Sequence, residues 1–479
     1  MAAPSEKIDF SSKQEPMLRD ASSLKQGSIS DDDREVFKAN VDGVEYRTVT
    51  WQRAIVIFIK IQIATGVLGI PTALYNLGAV GGGICVVAFQ ALNLYTTIIA
   101  GNFRNNHPEC HTIVDMAGVV WGPIGREFVG VIFVIAFIFC TSSSILAISI
   151  GLNALSDHGA CSVAFTFVGT VLTIMFSCIR TWGKMTWPLT DQALANSHRI
   201  GFVSVMAGVL VVVIGVTTKS RPAAAPQTGP YELGFYAIAH PTFTAGITAA
   251  CSIMVSSCGC PGYIPVIAEM KRPQDFKKAA IIVAALVWSI CLSFSMVLYY
   301  WCGQWIASPS LGSAGPLLKK VAYGIALPSL VVSAGIFNHT SSKYLFVRFL
   351  RNTKHLQSNS MVHWSTWIGC NVGVGILAFI LAEAIPVFNY ILSLEAALFF
   401  APMSLLFPAC FWMYDHKEYR SGSGQQKMIY GAHVLLALIA SFLVVGGTYG
   451  TVVQIKASYD AGQLSKVFSC ADNSNTVGV

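Results

Sequence analysis

A chain of 479 residues with 54% hydrophobic and only 11% charged side chains lies far from the roughly 25% charged content of soluble domains, which excludes an ordinary water-soluble globule. Its apolar residues gather into stretches of about 20, the length a helix needs to cross about 30 Å of hydrocarbon, and they lack the alternation of barrel strands. The formal charge of +7 sits largely in short connections between these stretches, so it reads as an orientation signal and not as a nucleic-acid footprint.

Residues 1–50 are Ser-rich and mixed in charge ("SISDDDREVF"), with no apolar run long enough for a cleaved signal peptide; they are expected to form a mobile cytoplasmic tail. Ser28 and Ser30 precede Asp31, Asp32 and Asp33, a pattern open to an acid-directed kinase, although a plain solvated linker is the preferred reading. Eleven spans are then predicted: Ala54 to Leu74, Gly78 to Gly101, Phe128 to Leu152, Cys161 to Ile179, Ile200 to Val216, Phe243 to Ile267, Ala279 to Cys302, Val321 to Ser342, Val362 to Leu381, Val387 to Trp412 and Ile429 to Val453. With the amino terminus inside, the five inner connections hold sixteen Lys and Arg residues, Arg104, Arg180, Lys184, Arg199 and Lys354 among them, and the five outer ones hold Lys219, Arg221, Lys319 and Lys320. That bias orients the chain with a cytoplasmic amino terminus and a short extracellular tail over 454–479.

The first span contains "IQIATGVLGIP", with Gly66, Gly69 and Pro71 at membrane depth. An unpaired backbone group costs several kcal/mol in hydrocarbon, so irregular backbone survives there only where protein buries it or a wet cavity receives it. The sixth span repeats the anomaly in "SSCGCPGYIP", with Gly259, Pro261, Gly262 and Pro265. Paired breaks in corresponding spans point to an inverted-repeat transporter with its site between them. The repeats are placed at 54–216 and 243–412 inside a domain over 51–453, with 429–453 as an extra helix. Unwound half-helix ends offer free N–H groups to a carboxylate and free C=O groups to an ammonium, and an α-amino acid carries both charges. The expected substrate site is therefore Ala64, Thr65, Gly66, Val67, Leu68 and Gly69 in break one with Ser256, Ser257, Cys258, Gly259 and Cys260 in break six.

At "ATGVLGIP" and at Gly259, Glu269, Met270, Pro273, Asp275 and Phe276 of "GCPGYIPVIAEMKRPQDF", the chain resembles the amino acid/auxin permease family within the amino acid, polyamine and organocation superfamily. It is most similar there to fungal neutral and aromatic amino acid permeases, over roughly Trp51 to Val453. The resemblance implies an all-α membrane protein of the LeuT type: eleven transmembrane helices, a 5+5 inverted repeat with helices one and six broken, and one helix added. It also implies secondary active transport of amino acids by alternating access, in fungi usually with protons. Two departures stand out: Ala64 replaces the first glycine of a Gly-x-Gly pair, and Cys260 replaces a common His, removing a potential proton carrier. Ser256, Ser257 and Cys258 stand where relatives tend to place an aromatic residue before Gly259. Small side chains there predict room for bulky neutral substrates, aromatic ones included.

Ionisable groups within spans are expensive and carry a functional hypothesis by default. Lys60 is expected to snorkel to the inner interface, with cation replacement near the site as the alternative, and His433 to pack at an interface. Glu395 and His339 are the candidates for a proton relay, Glu395 preferred, against an equally weighted role as helix clamps. Ser333, Asn338, Thr340 and Ser341 are expected to face the first span; the resemblance to sodium-coupled members makes Ser333 and Asn338 further coupling candidates, with protons preferred over sodium. Thirteen cysteines, mostly inside spans, argue core packing and not staples. "HPECH" brings His107, Cys110 and His111 together but lacks a fourth ligand, and the "NHT" at Asn338 falls inside a span; no metal or cofactor is expected. No His-Glu-x-x-His, Gly-x-Ser-x-Gly or paired intramembrane aspartates are present, which argues against an enzyme. A channel or amino-acid-sensing receptor on the same fold, and an exporter in a vacuolar membrane in place of an importer in the cell membrane, remain open at this point.

Overall fold

The computed structural model describes residues 49–63, 65–178, 190–351, 353, 355–356, 360–462 and 467–474, with side chains of the helix at 190–217 described from residue 202 onward. The expected tail with Ser28 and Ser30, the site residue Ala64, and Arg180, Lys184, Lys354 and the Arg199 side chain lie outside the described residues.

Thr50 opens the first helix, α1 (Trp51–Gln62), its side chain accepting from the Arg53 N–H. The helix stops at Ile63 (φ −86°, ψ 64°), and a 3-10 turn over Gly66–Gly69 leads into α2 (Ile70–Asn106). Pro71 falls in the first turn of α2, the one helical position where its missing N–H is harmless. The chain reverses inside α2 at Gly78 (φ 77°, ψ 166°), which separates the second half of span one from span two; the Ala79 and Val80 amides just after it donate to Tyr236 O and Ala237 O. A β-carbon on Gly78 would lie 2.6 Å from the Ala239 amide nitrogen, so both the positive φ and the close approach of the segment around Ala239 demand glycine.

The next helix, α3 (Ile113–Ser156), starts with a reciprocal capping box between Thr112 and Asp115 and turns at Gly122 before Pro123. There follow α4 (Ser162–Ser177), α5 (Thr190–Thr217), α6 (Phe243–Val255), α7 (Cys260–Ala268), α8 (Phe276–Cys302), α9 (Pro316–Leu350) and α10 (Met361–Ala384). The tenth span consists of α11 (Phe388–Glu395), two π-helical turns at Ala396–Phe400 and Pro402–Leu406, and α12 (Phe407–Asp415). The last helix, α13 (Gly424–Asp460), is capped by a Ser423–Gln426 box.

Eight of these runs are long and apolar enough to cross a membrane, while 162–177 and 202–217 are shorter. The fourth span is cut short at Ser177, where neighbouring helices claim its terminal carbonyls: Trp367 Nε1 donates to Cys178 O at 2.8 Å, and His339 Nδ1 lies 3.1 Å from Ser177 O. Apolar side chains face outward on the peripheral helices, for example Leu438 at 62% and Val445 at 71% exposure on α13, as lipid-facing surfaces require.

Helices α3, α4, α9 and α10 pack on one another as one group; α2 packs on α6, α7 and α8, and α1 on α7 and α8. Span ten is the most buried of the long spans and touches α2, α3, α6 and α13. The amino-terminal face of the bundle begins α1; the carboxy-terminal face receives the end of α13. On the latter face Cys161 and Cys470 form a disulfide. This corrects the expectation that the cysteines only fill the core: eleven are free, but these two join the tail to the start of α4. Neighbouring tail atoms bind the same frame, Ala471 O accepting from Ser162 Oγ, Asp472 Oδ1 and Asn473 Oδ1 accepting from Asn153 Nδ2, and Ser474 O accepting from Lys319 Nζ.

Candidate functional site

The two breaks face each other. Break one presents Thr65, Gly66, Val67, Leu68 and Gly69, all buried. Break six begins where i→i+4 bonding gives way to i→i+3 bonds at Ser256, Ser257 and Cys258 and ends at Gly259, whose carbonyl starts α7 by accepting from Gly262 and Tyr263. A β-carbon on Gly66 would fall 2.9 Å from Ser256 Oγ and 3.0 Å from its Cα; one on Gly69 would fall 3.2 Å from Ser252 Oγ and 3.1 Å from Asn389 Oδ1. Two glycines thus let backbone lie directly against a wall built by α6 and α11, in which Leu392 Cδ1, 2.7 Å from a β-carbon on Gly69, stands beside the polar atoms.

That wall is chemically incomplete within the protein. Ser252 Oγ, Ser256 Oγ and Asn389 Oδ1 are buried without a hydrogen-bond partner, whereas the great majority of buried polar atoms in folded proteins are paired. Convergence of three such atoms on the glycine face of break one makes a place suited to a ligand bearing donors, such as an ammonium group.

Below the breaks, towards the amino-terminal face, side chains hold the two interrupted helices together. Gln62, the last residue of α1, donates to Ser257 O at 3.0 Å and Gln90 Oε1 at 3.1 Å, and its own Oε1 accepts from Tyr263 OH at 2.7 Å. Tyr263 also stacks on Phe58 with centroids 3.9 Å apart. The carbonyl of Ser257, freed by the break, is therefore already engaged by Gln62. At the mouth, Val49 N–H donates to Glu269 O at 3.2 Å and Val49 O accepts from Lys271 at 2.9 Å. Burial raises the pKa of the Glu269 carboxyl, an effect Lys343 opposes.

Among the coupling candidates, Glu395 lies in span ten, the most buried of the long spans. It is 2% exposed, ends α11 where the π-helical turns begin and keeps one carboxyl oxygen without a hydrogen-bond partner. The Cys258 thiol of break six donates to Asn93 Oδ1 and Met254 O. Consecutive π-turns of this kind are frequent at functional positions. His339 and Asn338 are brought instead to the end of α4: Asn338 Nδ2 donates to Ser177 Oγ at 2.7 Å and Asn371 O at 3.2 Å, and His339 packs edge-on against Trp367. Ser333 donates to Ser329 O of its own helix at 2.9 Å and Thr340 to Ile336 O. The face of α9 that meets span one is the one bearing Ser329 and Ser333, because Asn338 lies about 140° further round the helix than Ser333.

Lys60 departs from expectation. It does not reach the interface; it is 2% exposed and donates to Ser329 Oγ at 2.6 Å and Ser329 O at 3.3 Å. The helix starts at Trp51, so Lys60 lies in its last turn, too deep to snorkel. His433 stacks face to face on Trp412 at 3.7 Å and meets Tyr95 OH at 2.9 Å. His107 of the "HPECH" run pairs with Asp415 at 2.9 Å.

Sequence reasoning missed Gln62, Ser252, Asn389 and Ser329. Each is a polar side chain inside an apolar span close in sequence or by helical period to a break, a signal weaker than charge but of the same kind.

An all-helical bundle whose two interrupted helices face each other across a buried polar seam defines the LeuT class of membrane carrier. The structure of MhsT in complex with L-phenylalanine shares this fold, with a TM-score of 0.54 at 12% sequence identity over 85% of this chain and 100% of that one. The chain belongs to the transmembrane amino acid transporter protein family, which matches residues 47–453. It is 50% identical to a transmembrane transporter of Gibberella moniliformis over 93% of this chain and 92% of that protein. It is 29% identical to the N amino acid transport system protein of Neurospora crassa, again covering 93% and 92% of the two. It is therefore a multi-pass membrane protein of an amino acid transporter family, not of an enzyme class.

Proposed function

We propose that this chain is a secondary active transporter of neutral amino acids, bulky and aromatic ones included, working by proton symport and alternating access in the cell membrane. The observation that carries the reading is the convergence of Ser252 Oγ, Ser256 Oγ and Asn389 Oδ1, all unpaired, on the glycine face of break one. The substrate head would lie against Thr65 to Gly69 on one side and Ser256 to Cys260 on the other. Hydroxyl and thiol side chains at Ser256, Ser257 and Cys258 are small, which supports room beside the substrate Cα. The name of the Neurospora relative, an amino acid transport system, supports the substrate class.

Glu395 is the proposed proton carrier, because it is a buried carboxyl at the start of the π-helical turns, on a helix that packs against break one and α6. Glu395→Gln is expected to lose acid-stimulated accumulation while keeping exchange. The Cys161–Cys470 bond supports a carboxy-terminal face outside the cytosol, since such bonds persist in oxidising compartments, and agrees with the Lys and Arg bias that puts the amino terminus inside. The two repeats are proposed at 54–216 and 243–412, with 429–453 added.

Uptake of labelled amino acids into proteoliposomes under separately imposed proton and sodium gradients tests the whole reading. Accumulation of leucine or phenylalanine driven by an inward proton gradient is expected. Accumulation driven by sodium alone would reject proton coupling, a strict preference for glycine and alanine would reject the pocket assignment, and downhill flux only would make the chain a channel or sensor.

A further inference from the structure

The bond between Lys60 and Ser329 has no part in holding a substrate head, yet it lies in the last turn of α1, directly before break one. Burying an ammonium costs several kcal/mol unless it is paired, and the partners here are one hydroxyl and one carbonyl, both on Ser329. Among the described residues Lys60 forms no ion pair with a carboxylate, and no other side-chain hydrogen bond runs from α1 to α9. A cation kept in this position by neutral oxygens is held firmly enough to close a seam and loosely enough to let it open, since a hydroxyl and a carbonyl are readily replaced by water.

The mobile partner is defined by the same geometry. Helices α1 and α7 are fastened to each other through the Phe58–Tyr263 stack, the Tyr263 bonds to Gln62 and Phe58 O, and the contact of Gly262 with Ile61, where a β-carbon would fall 2.9 Å from Cγ2. Helix α1 ends at break one and α7 begins at break six, so each has one end free of a continuous helix. By contrast α9 is packed into the group formed with α3, α4 and α10. We propose that Lys60 is a positioning residue that latches the paired half-helices α1 and α7 onto α9, and that opening of the site towards the amino-terminal face requires its release from Ser329. This role rests on the carrier function proposed above.

Two native thiols report on it. Cys258 and Cys260 lie in break six and are buried, so a small maleimide reaches them only when the site opens. Full-length protein in nanodiscs is labelled, and modification of the peptide bearing both cysteines is followed by mass spectrometry. Lys60→Met, which keeps length and loses the donor, is expected to raise the labelling rate about tenfold, the change produced by losing roughly one charge-assisted hydrogen bond from an opening equilibrium. Ser329→Ala, which keeps the lysine, is expected to raise it less. Lys60→Met is also expected to raise KM for uptake more than it lowers kcat. Labelling of both variants at the wild-type rate overturns the latch, and because labelling needs no transport, that result stays distinct from a wild-type protein that accumulates nothing. If Lys60→Met does not fold, Ser329→Ala alone decides.

Discussion

Gly66 and Ser256 touch backbone to backbone: a β-carbon on the glycine would stand 2.9 Å from Ser256 Oγ, 3.0 Å from its Cα and 3.3 Å from its amide nitrogen. Two of those three atoms are main chain and cannot rotate away. Gly66→Ala must therefore push the breaks apart and disturb the place where a substrate head would lie. Amino acid binding, read as ligand-induced thermal stabilisation, is expected to weaken at least about tenfold, equivalent to roughly 1.4 kcal/mol, with the unliganded protein still folded. Gly373→Ala, where nothing lies within 4 Å of the added carbon, is the control and is expected to bind normally; wild-type binding by Gly66→Ala would refute the contact's role.

Asn389 offers a test in which stability and function move in opposite directions. Its Oδ1 is buried and unpaired, a condition that costs about 1–3 kcal/mol. Asn389→Leu removes that cost with a side chain of similar size, so the melting temperature in detergent is expected to rise. If the same oxygen helps hold the substrate, KM rises several-fold as well. An unchanged KM would assign Asn389 to packing alone.

The disulfide between Cys161 and Cys470 closes a loop of 309 residues in sequence, and breaking such a link commonly costs about 2–4 kcal/mol. Cys470→Ser is expected to melt earlier than wild type, and wild type treated with reductant is expected to melt with the variant. The hydrogen bonds from Asn153, Ser162 and Lys319 to the tail limit the loss. Equal melting of oxidised wild type and variant would mean that those bonds suffice without the covalent tie.

The breaks were legible because glycine and proline at bilayer depth contradict the demand for a continuous backbone ladder, and the two places where they did so, Thr65 to Gly69 and Ser256 to Cys260, are the two places where helices α1 and α6 stop. Long-range pairings were not legible. Cys161 and Cys470 are 309 residues apart in sequence, and hydropathy says nothing about which connections meet. Lys60 was misjudged for a related reason: its depth depends on where the helix begins, and its direction on the rotation that puts it against Ser329. Asn338 and Ser333 looked equivalent as polar residues in one span, yet five residues of helical turn send them to different neighbours. Residue type is carried by the sequence itself, whereas the azimuth of a side chain is set by how the helices pack.

His111 lies in the connection between α2 and α3, where burial first, and then the positive charges of Lys343 and Arg104, push its pKa down to about 4, with Asp115 pulling the other way. A base whose folded pKa is depressed binds fewer protons in the native state than in the unfolded one between about 4 and 6.5. Its neutral form therefore supports stability above pH 6.5, and that support is lost as the pH falls through the window towards 4. The melting temperature of wild type should decline over this range, and His111→Gln, which cannot charge, should decline less steeply; the difference between the two curves isolates this residue from the other titrating groups. Parallel curves from pH 7 to pH 4 would show that His111 does not contribute to the acid lability of the amino-terminal face.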